Sequence, residues 1–215
     1  MNRIQNTDIP GYLGKRIAEG EHQQQDFKFA INDARKIAET LSAFANTDGG
    51  RLLVGVKDNG KIAGVRNDEE MYMIEGAADL YCNPPVKMEF QVWEIDSKRV
   101  LEVWINASPS RPHKAKTEDG NWRAFIRVRD ENFIASPVHL ERWAHEDKSE
   151  TPPGAFTEDE KTLLKIIREE PLTLNQLCKK SEFFRRDVIR SLGAFFRWNL
   201  IKLFREKGKW MIDIV

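Results

Sequence analysis

Apolar residues at helical spacing mark the first long element of the chain. Four of them share one face of a predicted helix that ends at Asn46, namely Ile37, Leu41, Phe44 and Ala45. Asn32 or Asp33 is placed to cap the start of this helix, and the polar segment TDGG follows its end. The apolar run RLLVGV at 51–56 then predicts a strand, and KDNGK contains the Asn-Gly pair that favours a two-residue hairpin into IAGV.

Helix and strand patterns continue to alternate after this hairpin. A helix is predicted over 68–82, and two strand-like runs, KMEFQVWEI and RVLEVWINA, are joined by the turn residues Asp96 and Ser97. WRAFIRVRD gives a further strand, and Ser136 followed by Pro137 opens a closing helix. These elements predict an α+β domain in which helices flank a mixed β-sheet.

The last part of the chain has a different pattern, dominated by short helices. Thr157 with Glu160, and Thr173 with Gln176, each have the spacing of a capping box at a helix start. A third helix is predicted from four apolar residues on one face, Phe184, Val188, Leu192 and Phe195. LIKLF and WMIDI flank the turn EKGK as the strands of a hairpin. Three helices followed by a hairpin indicate a small winged-helix domain.

A polar segment separates these two patterns. HEDKSETPPGAF, residues 145–156, combines charged residues, two prolines and a glycine without apolar periodicity. We therefore predict an α/β domain over 1–147, a linker over 148–156 and a winged-helix domain over 157–215.

Composition narrows the class of protein. No apolar run approaches the ~18 residues that a membrane span needs, and the first residues lack the apolar core of a signal peptide. We therefore expect a cytoplasmic protein with no membrane partner. Cys82 and Cys178 are the two cysteines, and neither has a second ligand at metal-site spacing, so the sequence predicts neither a disulfide framework nor a zinc site.

Charge is distributed unevenly, although 34 basic and 34 acidic side chains balance overall. Residues 1–154 carry 21 basic and 25 acidic side chains, whereas residues 155–215 carry 13 and 9. Three arginines of the third C-terminal helix lie opposite its apolar face, namely Arg186, Arg190 and Arg197. With Lys207 and Lys209 at the hairpin tip, they suit a recognition helix and wing on nucleic acid. A solvated helix face, or a winged helix that contacts protein, is the alternative.

The strand WRAFIRVRD carries a second basic pattern. Strict alternation predicts that one face is apolar and that the other carries Arg123, Phe125, Arg127 and Arg129. Arg111 and Lys114 in the preceding loop extend this stripe, which would suit a phosphate backbone with a stacked base. Cross-strand ion pairs to residues such as Glu89 or Glu102 are the alternative.

Three acidic residues are candidates for a divalent-metal site that cleaves a phosphodiester. They are Glu21 and Asp26 in EHQQQDFKF and Asp58 in GVKDNG, and carboxylates suit Mg²⁺ or Mn²⁺. Positions five apart do not share a face of a strand or helix, so convergence of the first two requires a bend in the chain. The alternative for Asp58 is a role in the hairpin turn without any metal.

Several of these segments together resemble the Schlafen AlbA-like domain, also called the DNA-binding or "divergent AAA" domain of many bacterial regulators. The resemblance is carried by EHQQQDFK, SAFANTDGG, RLLVGVKDNGKIAGV and RPH…AFIRVRDEN, and it covers residues 15–145. It implies a mixed α/β core for which nucleic-acid binding is proposed, often followed by a winged helix in bacterial proteins.

The resemblance also implies a second role for the three carboxylates. Some animal Schlafen proteins cut tRNA and rRNA with three carboxylates, which correspond by motif position to Glu21, Asp26 and Asp58. This sequence departs from that pattern in having Asp at 26, where the family has Glu, and Lys57 where an acidic residue often stands. The family label mentions ATP, but no phosphate-binding loop for it occurs here.

From these patterns we expect a bacterial DNA-binding transcriptional regulator that uses its winged helix and AlbA-like core and needs no cofactor. A homodimer on paired half-sites would suit this function. The first alternative is an endoribonuclease that uses Mg²⁺ or Mn²⁺ on the three carboxylates and grips RNA with the strand arginines. The second is a protein-interaction scaffold.

Overall fold

The computed structural model describes most of the chain, namely residues 5–7, 11–148, 151–152 and 154–215. The chain forms two compact units, Met1–Ile134 and Ala135–Val215. In the described residues, no helix combines the length and the apolar character needed to cross a membrane.

The first unit contains three helices and nine strands in its described part. In chain order these are β1 (Gln5–Thr7), α1 (Tyr12–Ala18), β2 (Gln25–Lys28), α2 (Ala34–Asn46), β3 (Gly50–Val54), α3 (Glu69–Tyr81), β4 (Cys82–Asn83), β5 (Glu89–Ile95), β6 (Lys98–Ile105), β7 (Lys114–Lys116), β8 (Trp122–Val128) and β9 (Glu131–Ile134).

A mixed five-stranded sheet, in the order β1-β5-β6-β3-β2, forms the centre of this unit. β1 is parallel to β5 and β2 is parallel to β3, whereas β6 is antiparallel to both of its neighbours. β5 and β6 form the predicted hairpin, and Asp96 and Ser97 both have the positive φ that a tight two-residue turn requires. The predicted α+β class with a mixed sheet is confirmed.

Helices cover both faces of the five-stranded sheet. On one face, Leu41 of α2 and Ile74 of α3 belong to the same buried cluster as Leu52 and Val103 of the sheet. On the other face, Leu13 of α1 packs in a second cluster with side chains of β2, β3, β5 and β6. The sheet is therefore buried on both sides in its central strands.

A second, four-stranded sheet packs against α2. Its order is β4-β7-β8-β9, and all of its pairs are antiparallel. β7 pairs only with residues 122–124 of β8, so the next β8 backbone groups on that side lack a strand partner in the described part of the chain. Side chains of α2 bond to these β8 groups in place of a neighbouring strand. Ser42 Oγ accepts from the Phe125 N–H at 3.1 Å, and Asn46 Nδ2 donates to the Phe125 carbonyl at 3.0 Å.

The same row of side chains continues along β8 toward its end. Thr47 Oγ1 accepts from the Arg127 N–H at 3.0 Å. Gln23 Nε2 donates to the Arg127 carbonyl at 3.0 Å, and Gln23 Oε1 accepts from the Arg129 N–H at 2.8 Å. These bonds matter because a buried backbone group without a partner destabilises the fold.

Two glycines allow the close approach at the end of α2. Gly49 has φ of 69°, and a Cβ there would lie 2.7 Å from the Ile105 carbonyl oxygen. A Cβ on Gly50 would lie 2.5 Å from the ring of Phe44. The TDGG segment therefore ends the helix and lets β3 start directly against it.

The KDNGK hairpin differs from its prediction. The Lys57 N–H donates to the Lys61 carbonyl at 3.1 Å, which leaves three residues in the loop, and Gly60 has φ of 77°. A three-residue loop with a left-handed third residue is the next common hairpin form after the two-residue turn. The IAGV segment forms only isolated bridges, at Ile62 and Val65, so the predicted strand there is wrong.

In its described residues, the second unit consists of four helices followed by a hairpin. Its elements are α4 (Pro137–Ala144), α5 (Glu158–Glu169), α6 (Leu174–Ser181), α7 (Arg185–Arg197), β10 (Ile201–Glu206) and β11 (Lys209–Ile214). Thr157 and Thr173 cap α5 and α6 through the predicted capping boxes. One buried cluster joins residues such as Leu163, Leu177 and Leu192 with Ile212 of the hairpin.

The division between the units falls earlier than the sequence suggests. Ser136 caps α4 as predicted, but this helix belongs to the second unit, whereas the sequence analysis assigns it to a domain over 1–147. Val138 lies in the core of the second unit, and a Cβ on Gly193 of α7 would meet Glu141 Cγ at 2.4 Å. Helix α4 can pack closely against α7 at this position because Gly193 has no side chain. Residues 149, 150 and 153 of the predicted linker lie outside the described residues.

The side chain of Asn46 gives a stability prediction for the first unit. It also donates to the His113 carbonyl at 2.8 Å and accepts from the His113 N–H at 2.7 Å. Asn46→Ala removes the side-chain partner of the Phe125 carbonyl and of the His113 N–H, and each buried group left unpaired costs roughly 1–3 kcal/mol. We expect the free energy of unfolding to fall by at least ~2 kcal/mol, measured by urea denaturation followed by circular dichroism. Asn106→Ala, at an exposed asparagine, is the control, and equal losses in the two variants would contradict this role.

Candidate functional site

Asp26 lies on β2 with its carboxylate almost fully buried. Its side chain is 5% exposed, and Oδ1 is 3.0 Å from Arg127 Nη2. Oδ2 is 2.5 Å from Lys28 Nζ. The negative charge of this carboxylate is therefore balanced within the protein by two basic side chains.

Arg127 connects β8 to β2 through its guanidinium group. Its Nη2 donates to the Gln25 carbonyl at 3.1 Å, and its Nη1 donates to Asn132 Oδ1 at 3.1 Å. The guanidinium also lies over the ring of Phe44 at 5.2 Å. With its side chain 2% exposed, Arg127 cannot reach a phosphate group in this conformation.

The predicted basic stripe on β8 is therefore wrong in its central part. Phe125 and Arg127 were expected on an open face, but both are buried because α2 covers that face of the strand. Ala124 and Ile126 on the opposite face are buried too. Alternation along a strand identifies two faces, but it does not tell whether the second one is covered.

The outer members of the stripe remain accessible. Arg123 Nη2 is 2.5 Å from Asp119 Oδ2 in an exposed ion pair, and Arg129 is exposed at the turn after β8 with φ of 60°. Lys114 is exposed on β7, while Arg111 is half-buried in the loop before it. Glu102 is buried and does not pair with these residues. It accepts hydrogen bonds from Tyr12 and Trp93, and Arg51 lies 3.9 Å from it.

The three candidate metal ligands do not converge. Glu21 and Asp26 are close enough to interact, and burial together with the Asp26 charge raises the pKa of Glu21. One Glu21 oxygen accepts from the Phe27 N–H at 2.9 Å. Asp58 is exposed in the hairpin loop. In the described residues, which include all three, no group of three or more His, Cys, Asp or Glu side chains is arranged to hold a metal ion.

The second unit exposes the arginines predicted for its third helix. Arg186 is 85% exposed and Arg190 is 66% exposed, and Asp187 lies 3.8 Å and 3.6 Å from them. Arg197 is half-buried, with its guanidinium 5.6 Å from the centre of the Trp198 ring. Lys207 and Lys209 are both exposed at the hairpin turn. A group of exposed cations therefore lies on α7 and on the turn of β10 and β11.

Phe184 occupies a different position from the one predicted. The sequence analysis places it in the apolar core with Val188, but it is 83% exposed. It is the residue that precedes the first turn of α7 and has extended backbone angles, so helical spacing does not apply to its side chain. The core face of α7 begins at Val188. The signal that was missed is the pair of arginines directly after Phe184, which marks the start of a solvent-facing turn.

One family model matches the chain over most of the first unit. A family model described as Schlafen, AlbA_2 matches residues 21–136. A crystal structure of a Corynebacterium diphtheriae protein aligns with a TM-score of 0.47 and 18% identity, over 80% of this chain and 32% of that one. The solution structure of the N-terminal domain of a Nitrosomonas europaea protein, named as related to the ATP-dependent DNA helicase RecG, aligns with a TM-score of 0.43 and 24% identity, over 54% and 84% of the two chains.

The chain thus spans about a third, 32%, of the length of the C. diphtheriae protein. A search among curated proteins found no significant match.

Arg127 and Arg123 give a matched pair of substitutions on one strand. Arg127→Ala removes a partner of a buried carboxylate, which typically costs about 3–5 kcal/mol. Arg123→Ala removes an exposed ion pair, and such pairs contribute about 0–1 kcal/mol. We expect urea denaturation to separate the two variants by at least ~2 kcal/mol. Similar stabilities for both would show that Arg127 does not hold the two sheets together.

Proposed function

The chain belongs to the Schlafen, AlbA_2 family, and we propose that it binds nucleic acid, with duplex DNA held mainly by the second unit. The observation that carries this proposal is the exposure of Arg186 and Arg190 on α7. They lie one helical turn apart, and the contacts that they make in the described part of the chain are long ones to Asp187, so both can approach phosphates or guanine edges.

The order of elements in the second unit supports a helix-turn-helix with a wing. Residues 182–184 form a three-residue connection between α6 and α7, and Glu182 in it has φ of 60°. Short turns of this kind join the two helices of DNA-binding helix-turn-helix motifs. The β10–β11 hairpin follows α7 directly and carries Lys207 and Lys209 at its turn, as a wing that contacts phosphates would.

Duplex DNA fits this arrangement better than duplex RNA. The major groove of B-DNA is about 12 Å wide and admits a helix, whereas the major groove of A-form RNA is too narrow for side chains to read. The name of the N. europaea relative refers to a DNA helicase, which agrees with DNA as the ligand class. Transcriptional regulation is the role we propose for such binding.

The first unit supplies a second, weaker surface in this proposal. The basic side chains that stay accessible there are Lys114, Arg123 and Arg129, with Arg111 half-buried beside them. Arg127 is not part of this surface, because its charge is used within the core. The three carboxylates have structural roles in this account, since Asp26 is paired twice and Asp58 lies apart in an exposed loop.

A charge-reversal pair tests the assignment to α7. Arg186→Glu with Arg190→Glu is expected to weaken binding to a labelled duplex by at least ~10-fold in fluorescence anisotropy at moderate salt. Each lost phosphate contact lowers the slope of log K against log salt by about 0.9, so the slope should fall by up to about 2. A homodimer on paired half-sites stays a prediction, and the stoichiometry of the same titration tests it.

The matched control for this pair is Lys161→Glu with Lys165→Glu. These two lysines are also exposed and one turn apart, on α5, so the change in net charge is identical. We expect this control to change affinity by less than ~3-fold, because long-range effects of exposed charges are screened by salt. Equal losses in the two double variants would contradict recognition by α7.

A further inference from the structure

Phe29 is an exposed aromatic residue of the first unit. It directly follows β2 and is 56% exposed, whereas Phe27, two residues earlier on the same strand, is 1% exposed. Single exposed apolar residues are common and need no explanation by themselves. The ring of Phe29, however, is next to a basic side chain from a different loop.

One lysine contacts the ring of Phe29, and a second is exposed on the same hairpin loop. Lys57 Nζ lies 5.2 Å from the ring centre, within the range of a cation–π contact. Lys61 is opposite Lys57 across the hairpin loop, and both side chains are exposed. Lys28, adjacent in sequence, is half-buried because its ammonium group reaches Asp26. Asp58 is the acidic residue of the same loop.

Tyr72 and Trp122 are further exposed aromatic residues in the described part of this unit, and Tyr72 has the opposite electrostatic setting to Phe29. Tyr72 on α3 is 59% exposed, but its neighbours three positions away along the helix are Glu69 and Glu75. A ring next to carboxylates disfavours a polyanion, whereas a ring next to ammonium groups favours one. Phe29 and Tyr72 therefore have similar exposure and different expected ligands.

We propose that Phe29 is a stacking platform for an unpaired base, with Lys57 and Lys61 contacting the adjacent phosphates of a single-stranded nucleic acid. The proposal rests on the nucleic-acid-binding function inferred above and deepens it for the first unit. Proteins that bind single strands combine such aromatic rings with basic side chains, and any base can stack on the ring. Base pairs inside a duplex are already stacked on each other, so this surface selects single strands.

The test compares single-stranded and duplex ligands on the full chain. A fluorescein-labelled oligothymidine of roughly ten nucleotides and a duplex of equal length are titrated by anisotropy. Phe29→Ala is expected to weaken single-strand binding on the order of 10-fold and duplex binding by less than ~2-fold. Phe29→Trp is expected to retain single-strand affinity, because it preserves a stacking surface. Tyr72→Ala is the matched control and is expected to bind like the wild type.

Measuring the same set in the Arg186→Glu, Arg190→Glu background separates the two units. There, the remaining single-strand affinity should depend still more strongly on Phe29. The proposal is overturned if Phe29→Ala binds the oligothymidine as the wild type does, or if Phe29→Trp loses as much affinity as Phe29→Ala. Binding of duplex DNA without any binding of the oligothymidine would also overturn it, while leaving the function of the second unit intact. Absence of binding to either ligand would overturn both.

Discussion

The first unit depends on polar side chains that complete the hydrogen bonding of β8. Past the end of β7, the backbone of this strand would be buried without partners, and Ser42 and Asn46 of α2, with Thr47 directly after the helix, supply them. The guanidinium of Arg127 adds a bridge from the same strand to Asp26 and the β2 backbone. Two sheets thus share one helix, and their relative position is fixed by directional bonds as well as by apolar packing.

This constraint determines which charges are left for a ligand. Arg127 and Asp26 neutralise each other inside the protein, so they contribute to the fold and not to the charge of the surface. Accessible cations that could meet a ligand lie elsewhere, among them those on α7, on the C-terminal hairpin, beside Phe29 and at the ends of β8. The proposed function therefore divides the roles, with the buried cluster holding the core and exposed side chains available to contact nucleic acid.

Local signals in the sequence were sufficient to predict the elements whose geometry is set by neighbouring residues. The Asp96-Ser97 turn and the capping boxes at Thr157 and Thr173 depend on a few adjacent residues, and each was predicted correctly. Arg127 was misjudged because its burial depends on a helix eighty residues away in sequence, as the bond to Thr47 illustrates. Helix α4 was placed in the first domain because its packing partner, Gly193, lies 52 residues after Glu141 and the fit depends on the absence of a side chain there. The setting of Phe29 could not be predicted from periodicity, because the lysine that contacts its ring belongs to a different loop.

The most direct test of this division of roles is a single incubation of the protein with labelled tRNA and duplex DNA, in Mn²⁺ or in EDTA, read on native and denaturing gels. Our account predicts a duplex shift that weakens steeply as salt rises, with both nucleic acids intact in either condition. Metal-dependent cleavage of the tRNA that disappears in Glu21→Ala and Asp58→Ala would contradict it, because it would require the carboxylates to converge on a metal and act in catalysis.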